Sequence, residues 1–430
     1  MTGVGAARIS PAVAVALAAA MVLVAGAAHA AIVALPPGAD LAAAVAAAAP
    51  GDVLKLAGAT YDGPVRIDRP LTIEGVPGSI IDGRGKGRTI EVIAPDVTLR
   101  GVTLHGSGMS LERMDAAIFL AESAARARVE DNDIEDNLVG VYVHGAPGAV
   151  VRHNKIVGRV MPHLNDSGNG VYVWNAPGAQ ILNNDISGGR DGIFTNASRS
   201  DVFRGNYLHG VRFAIHYMYT NDSEVSDNTS VGNIVGFAIM FSNNLKVRGN
   251  ASRGDRDQGL LLNYANGSDI EGNAVRGAGK CVFIYDANKN ILRDNWFEGC
   301  TIGVHFTAGS ERNEITGNAF VDNETQVMYV GTRLLDWSAG GRGNYWSDNP
   351  AFDLDGDGIA DAAYRPNNVM DEVVWRFPAA KLLMNSPATQ AIRFAQSAFP
   401  AIHPGGVIDS RPLMRPPEVP ALRRLDRVQR

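Results

Sequence analysis

The 430-residue chain is poor in cysteine and carries no strong excess of charge of either sign. Its two cysteines cannot build a disulfide-dense framework, and the lack of a C-x-x-C pair excludes a thiolate zinc site and a thioredoxin-like function. The 39 basic and 45 acidic side chains are interspersed and give a net charge of −6, which argues against a nucleic-acid partner because such a partner needs a clustered basic face. After residue 28, no apolar run is long enough to span a membrane.

The N-terminus has the pattern of a secretory signal. Arg8 precedes an apolar run from Pro11 to Ala28, and Ala28-His29-Ala30 forms a small-residue cleavage site. We predict that residues 1–30 are a signal peptide and that the mature chain lies in the periplasm. The alternative, an uncleaved membrane anchor, fits the well-formed cleavage site less well.

The middle of the chain repeats itself about every 22 residues. An asparagine recurs with spacings of 22 or 23 residues, interrupted once by 30, at Asn132, Asn154, Asn184, Asn206, Asn228, Asn250, Asn273, Asn295 and Asn318. A second series, from Gly140 to Gly303, has the same period and the same insertion. Two registers that share one period indicate a solenoid.

Each repeat alternates apolar and other residues with period two, between turns rich in Gly, Asn and Asp, which favours strands over helices. We therefore predict an all-β fold, a parallel β-helix with coils of about 22 residues over residues 31–350. We predict a right-handed helix, because connections between parallel strands of one sheet are almost always right-handed. The asparagines should stack into a hydrogen-bonded ladder, and a short helix over Ala42–Ala49, introduced by Asp40, should cap the first coil.

The outward face of one strand series is unusually rich in aromatic and soft side chains. A solvated sheet face would carry Thr, Lys and Glu, so this face is either a binding surface or is covered by another segment of the chain. On the first interpretation we predict partner contacts at Tyr142, His144, Tyr172, Trp174 and His305.

Within this face, His216, Met218 and Met240 can converge. Met218 lies two residues along the strand from His216 and stacks on Met240 in the next coil, about 4.8 Å away. Two thioethers and one imidazole form a soft ligand set that suits Cu(I), so we predict a copper site here. The alternative is an apolar patch covered by a loop.

Many β-helices act on polysaccharides through paired carboxylates, so a lyase or epimerase is the alternative function. The available carboxylates are Asp191, Asp222, Asp255 and Asp257. They fall at turns, where Asp serves local hydrogen bonding, and the outward strand columns place no two carboxylates on neighbouring coils.

The repeat ends near Asn344, and an Asp-rich segment follows within residues 351–375. Asp353, Asp355, Asp357 and Asp361 occupy the first, third, fifth and ninth positions of an EF-hand-like loop, but the twelfth position is Tyr364 instead of Glu. The segment is either a calcium-stabilised loop with a structural role or a plain acidic turn. Residues 376–430 are predicted to form a helical segment and a basic tail.

The two cysteines leave one question open. A Cys281–Cys300 disulfide is permissible in the periplasm, but the repeat places Cys300 over Ala278 and not over Cys281. A bridge would therefore require a departure from the repeat register.

Several short sequence segments resemble those of the NosD family of nitrous oxide reductase maturation proteins. They are Phe213-Ala-Ile-His-Tyr-Met-Tyr219, Phe241-Ser-Asn, Leu262-Asn-Tyr-Ala, Gly343-Asn-Tyr-Trp-Ser-Asp348 and Asp409-Ser-Arg-Pro-Leu-Met414. The resemblance implies a non-catalytic periplasmic β-helix that helps to assemble the copper-sulfide centre of nitrous oxide reductase. It further implies three partners: an ABC transporter with its membrane subunit and ATPase, a copper chaperone, and the reductase itself. Membrane association would then occur through the transporter.

Overall fold

The computed structural model describes residues 30–367, 369–383, 386–398 and 406–427. The predicted signal peptide, apart from Ala30, lies outside the described residues. From Ile32 to Trp346 the chain winds into stacked coils whose strands form three long parallel sheets. This confirms the predicted all-β parallel β-helix.

The first 13-stranded sheet contains Ile32–Leu35, Val53–Leu56, Thr72–Gly75, Thr98–Arg100, Arg128–Glu130, Val150–Arg152, Gln180–Leu182, Val202–Arg204, Glu224–Ser226, Lys246–Arg248, Asp269–Glu271, Ile291–Arg293 and Glu314–Thr316. The 12-stranded sheet contains Val65–Ile67, Ile90–Val92, Ala116–Leu120, Val139–His144, Val171–Trp174, Ile193–Asn196, Phe213–Met218, Val235–Met240, Gln258–Asn263, Lys280–Tyr285, Ile302–Thr307 and Thr325–Val330. The second 13-stranded sheet contains Thr60–Asp62, Ile80–Asp82, Thr103–His105, Asp133–Asn137, Lys155–Gly158, Asp185–Gly188, Tyr207–His209, Thr229–Val231, Ala251–Arg253, Ala274–Arg276, Trp296–Glu298, Ala319–Val321 and Tyr345–Trp346.

The predicted asparagine ladder runs through the coils. Asn132 Nδ2 donates to Asn154 Oδ1 at 2.9 Å, and the same contact repeats up the column to the pair Asn318 and Asn344. Each ladder amide also donates to a main-chain carbonyl, as Asn154 Nδ2 does to Val129 O at 2.9 Å. These bonds satisfy amide groups that would otherwise be costly to bury.

Apolar residues from all three sheets fill the interior, and both ends of the solenoid are closed. Helix α1 (Leu41–Ala47) covers the first coils, with Leu41 buried and Asp40 accepting a hydrogen bond from Ala43 N at 3.0 Å. At the other end, Trp346 stacks on Phe320 at 4.3 Å and donates to Asp409 Oδ2 at 2.8 Å. The closing segment includes strand Gly406–Ile408, which pairs in parallel with Leu334–Asp336.

The C-terminal region contains α2 (Val369–Arg376), a 3-10 helix (Pro378–Leu383), α3 (Pro387–Ala398) and α4 (Leu422–Arg427). A further 3-10 helix, Leu164–Asp166, lies in the eight-residue insertion. The predicted basic tail turns back onto the solenoid, because Leu425 is buried beside Ala251 and Ala274. Arg424 of the tail lies 3.1 Å from Asp227, so part of its positive charge is paired within the chain.

Cys281 and Cys300 form a disulfide, with Cα atoms 5.7 Å apart. Cys300 does lie beside Ala278, whose N–H points at its sulfur at 3.4 Å, as the repeat predicts. The expectation that bridging needs a break in register was wrong, since Lys280 and Val282 keep regular partners in the next strand. The bridge joins neighbouring columns diagonally, and the coil geometry brings these columns within reach.

Candidate functional site

The outward side chains of the 12-stranded sheet form two columns along the solenoid. In the first column, Tyr142 stacks on Tyr172 at 4.6 Å, Tyr172 on Phe194 at 5.0 Å, and Phe194 on His216 at 4.8 Å. The side chains thus cover one another, and His216 is only 8% exposed. The face is therefore partly shielded from solvent by its own stacked side chains. The sequence analysis considered only a binding surface or a covering segment.

Four of the predicted partner residues meet at one end of this face. His144 stacks on Trp174 at 4.5 Å, and its Nδ1 lies 2.9 Å from the Tyr142 hydroxyl, while Tyr142 and Tyr172 are parallel. Desolvation and the charge of Arg88 lower the pKa of His144, and burial raises the pKa of Tyr142. These neutral rings form a continuous aromatic patch, and their contact with a partner stays a prediction.

His216 is held by a buried charge network that begins in the preceding coil. Its Nδ1 lies 3.3 Å from Asp191 Oδ2, and Asp191 has no exposed surface. Arg212 Nε and Nη2 donate to the two Asp191 oxygens, both at 2.7 Å. Burial raises the pKa of Asp191, but the hydrogen bonds from His216 and Arg212 and the charge of Arg212 outweigh it, so the net pKa lies below the ordinary value.

The ionised Asp191 determines which ring nitrogen of His216 is free. A carboxylate only accepts hydrogen bonds, so Nδ1 must carry the proton that points at Asp191. Nε2 of the neutral ring then has an available lone pair, and it is buried without a hydrogen-bond partner. Metal-binding histidines are commonly oriented in this way by a carboxylate on the other nitrogen.

The second outward column places two thioethers beside this imidazole. Met218 is two residues along the same strand from His216, and Met218 and Met240 are direct partners in the parallel register. Both methionines are half-buried. Asn263 follows them in register, and its buried Oδ1 lacks a hydrogen-bond partner. The structure thus places the three predicted copper ligands on one face of two adjacent coils.

A strip of aromatic residues at the turn was missed by the sequence interpretation. Tyr219 stacks on Phe241 at 5.1 Å and Phe241 on Tyr264 at 5.0 Å, and we call these three residues the turn strip. All three have positive φ, between 49° and 51°, which is rare for bulky residues, and Tyr219 is 53% exposed. Their positions in the sequence could have predicted this strip, because each residue directly follows a residue of the second column and the repeat therefore stacks them.

The carboxylates considered for a polysaccharide enzyme lie in different environments. Asp191 and Asp255 are fully buried. Asp255 accepts hydrogen bonds from Ser230 and Ser252, and burial raises its pKa to about 6. Asp222 is exposed on one turn, and Asp257 pairs with the adjacent arginine on another. This arrangement does not resemble an acid and base facing each other across a bound sugar.

The Asp-rich segment brings three of its four predicted ligands together. Carboxylate oxygens of Asp353, Asp355 and Asp357 lie within 4.8 Å of one another. Asp361 instead accepts a hydrogen bond from Leu354 N at 2.8 Å. Hydrogen bonds from the main-chain amides of Gly358 and Gly356 lower the pKa of Asp353. The predicted calcium site stays a prediction.

Comparison with known proteins identifies the family. The chain is 38% identical over 378 residues to the "Probable ABC transporter binding protein NosD" of Stutzerimonas stutzeri, covering 84% of this chain and 87% of the relative. The chain belongs to the NosD family. The namesake protein of Pseudomonas aeruginosa is also 38% identical, over 376 residues, covering 84% of this chain and 88% of that relative. A family model described as "Periplasmic copper-binding protein (NosD)" matches residues 152–351.

The predicted family resemblance and periplasmic location are thereby confirmed. The family description names copper, and the relatives are named as binding proteins associated with an ABC transporter. Within the described part of the chain, none of the helices has the length and apolar character needed to cross a membrane.

Solved structures share only the fold with this NosD family member. The Streptococcus pneumoniae adhesin PfbA has a TM-score of 0.53 at 8% identity, covering 67% of this chain and 94% of that chain. The Dettilon tailspike protein has a TM-score of 0.52 at 13% identity. The match covers 66% of this chain and 62% of the tailspike chain, which is less than two thirds of the tailspike. DFA-IIIase from Arthrobacter chlorophenolicus has a TM-score of 0.51 at 16% identity, covering 67% and 90% respectively.

Proposed function

We propose that this protein carries Cu(I) as a cargo, bound by His216 Nε2 and the sulfurs of Met218 and Met240, during assembly of the copper-sulfide centre of nitrous oxide reductase. The observation that carries the proposal is the unpartnered Nε2 of His216 beside two register-paired methionines. Thioether and imidazole donors select Cu(I) over calcium, magnesium and zinc.

The surroundings suit a site that binds and then releases its metal. None of the three ligands carries a charge when His216 is neutral, so the attraction for copper comes from the soft donors. Asp191 itself is held by Arg212, which compensates the carboxylate charge and keeps Asp191 as an orienting group. A modest affinity favours transfer to a client.

The aromatic patch and the turn strip support a role in holding protein partners. Exposed aromatic rings are common in protein interfaces, and the turn strip lies immediately beside the methionine column. We assign this face to the copper chaperone and the reductase. The same turn is left-handed in neighbouring coils at Ala197 and Asp286, but these three coils place bulky rings there, which reduce stability without filling the core.

The C-terminal helices support an interaction with the ABC transporter. Large apolar side chains are exposed there, with Leu382 at 91%, Phe394 at 75% and Phe377 at 66%. Exposed apolar side chains of this size are typical of a surface that is covered by another protein. We assign it to the membrane subunit, through which the transporter ATPase would act on this protein. In this scheme the protein is not catalytic itself.

The test is to produce the reductase in cells that lack this protein and to restore either the natural chain or the variant H216F/M218L/M240L. We expect deletion to empty the catalytic copper centre, as measured by metal content and its visible spectrum. The triple variant should fail to restore it although its circular dichroism is native. A matched variant, M109L, replaces an exposed methionine on another surface and should restore the centre fully.

An intact copper centre in the deletion strain would refute the assembly role. Full restoration by the folded triple variant would refute the proposed ligands.

A further inference from the structure

The column that contains His216 ends in a second pair of soft donors. His305 and Met328 are direct register partners in the last two strands of the 12-stranded sheet. His305 lies four coils beyond His216, a separation of about 19 Å at 4.8 Å per coil. The residues between them in this column are Ala238, Leu261 and Phe283.

His305 shares an unusual feature with His216. Its ring is half-buried and lies 4.7 Å from the Phe283 ring, and its Nδ1 is buried without a hydrogen-bond partner. Among the described histidines, these two have a buried ring nitrogen that lacks a partner. Met218 lies two residues along the strand from His216, and Met328 is the direct register partner of His305. Burial and, to a smaller extent, the charge of Lys280 lower the pKa of His305 to about 4, which keeps the ring neutral.

Packing alone explains this arrangement poorly. Leucine and phenylalanine fill the same column at Leu261 and Phe283, and they introduce no polar atom. A buried nitrogen without a partner is unfavourable for folding. An imidazole at this position is therefore better explained by a ligand that uses its lone pair.

A cavity lies beside Met328, one of the two donors. Met328 lines a cavity of about 330 Å³ between the end of the sheet and the region of α2. Glu324 and Asp371 contribute acidic side chains to the lining, together with Trp375 and the basic Lys381.

We propose that His305 Nδ1 and Met328 Sδ form a second Cu(I) site at the C-terminal end of the solenoid. This inference rests on the proposed function, because it extends the same cargo to a second position. With one thioether where the first site has two, and with Lys280 nearby, the second site binds Cu(I) more weakly. The cavity beside Met328 leaves space for a further donor from a partner protein.

The test is an anaerobic Cu(I) titration of the purified full chain against a chromogenic Cu(I) chelator. We expect two equivalents for the natural chain. H305F and M328L should each bind one, since phenylalanine already occupies this column at Phe283 and leucine preserves the volume of Met328. The triple variant H216F/M218L/M240L should also bind one, and a combined variant none. X-ray absorption of the triple variant should show one nitrogen and one sulfur neighbour at copper.

The outcomes separate the two proposals. If the natural chain binds one equivalent that is lost only in the triple variant, the second site is refuted and the first stands. If the single equivalent is lost only in H305F and M328L, the second site stands and the first is refuted. If folded H305F and M328L, checked by circular dichroism, retain all the copper of the natural chain, the second site is refuted in any case.

Discussion

Replacing Asp191 with asparagine tests whether the buried carboxylate prepares His216 for copper. Asp191 Oδ2 lies 3.3 Å from His216 Nδ1 and, as an anion, can only accept a hydrogen bond. An asparagine can present its Nδ2–H group instead, which would move the ring proton to Nε2 and block the copper-binding lone pair. Changes to such outer partners typically weaken metal binding by roughly 10- to 100-fold, or about 1.4–2.7 kcal/mol.

Stability must be separated from affinity in this experiment. Asp191 also pairs with Arg212 through two hydrogen bonds of 2.7 Å, and removal of one member of a buried ion pair destabilises a protein by roughly 3–5 kcal/mol. The double variant D191N/R212M removes both charges, so its free energy of unfolding should recover part of that loss. Its Cu(I) affinity should remain as low as that of D191N, because His216 still lacks its carboxylate.

The assay is competition for Cu(I) with a chelator of known affinity, combined with ¹⁵N NMR of the histidine rings. We expect the His216 signal to change from the Nδ1–H to the Nε2–H form in D191N. A Cu(I) affinity within twofold of the natural chain, in a folded D191N protein, would show that Asp191 has only a structural role.

Three further predictions concern other parts of the chain. Burial raises the pKa of Asp201 from 3.8 to about 7, so the folded state retains a proton that the unfolded chain releases. The free energy of unfolding is therefore highest below pH 3.8, where Asp201 is protonated in both states. It falls as the pH rises to about 7, by about 4 kcal/mol at 1.36 kcal/mol per pH unit. In urea unfolding, D201N should be more stable than the natural chain at pH 8 by up to that amount but not at pH 4, and the exposed D222N should show no such pH dependence. Millimolar calcium should raise the melting temperature of the natural chain but not of D355N/D357N, and an equal response would exclude the loop as a calcium site. The variant Y219N/Y264N should keep native Cu(I) binding but lose affinity for the copper chaperone or the reductase in a binding assay, and unchanged affinity for both would refute the role of the turn strip.

The fold was predictable because its strongest interactions link residues one period apart. Asn206 contacts Asn228 and Asn184, each 22 residues away, so the period alone specifies the ladder. The same logic placed Met218 on Met240, since parallel strands in register preserve every column. A period cannot report diagonal contacts, and the disulfide between Cys281 and Cys300 joins two different columns.

The site was predictable only in part, for a related reason. His216, Met218 and Met240 lie on strands, where alternation specifies the direction of each side chain. Asp191 lies at a turn, and the sequence interpretation treated it as a local hydrogen-bonding residue. Its role depends on its side chain reaching into the next coil toward His216, a contact that period-two alternation does not describe. The packing of α4 on Ala251 and Ala274 likewise depends on tertiary contacts outside the repeat.

A parallel solenoid offers a simple way to position a transferable metal. Each column holds successive side chains about 4.8 Å apart, a spacing at which side chains of adjacent coils can share one small ion. In this protein the proposed donors are uncharged, and most of the neighbouring members of the column are apolar rings or aliphatic groups. Such a column disfavours hard ions, which prefer charged oxygen ligands, and leaves Cu(I) with few and soft contacts. The parallel register of the sheet holds the proposed donors in place, and because these contacts are few, a partner with one more soft donor can remove the copper.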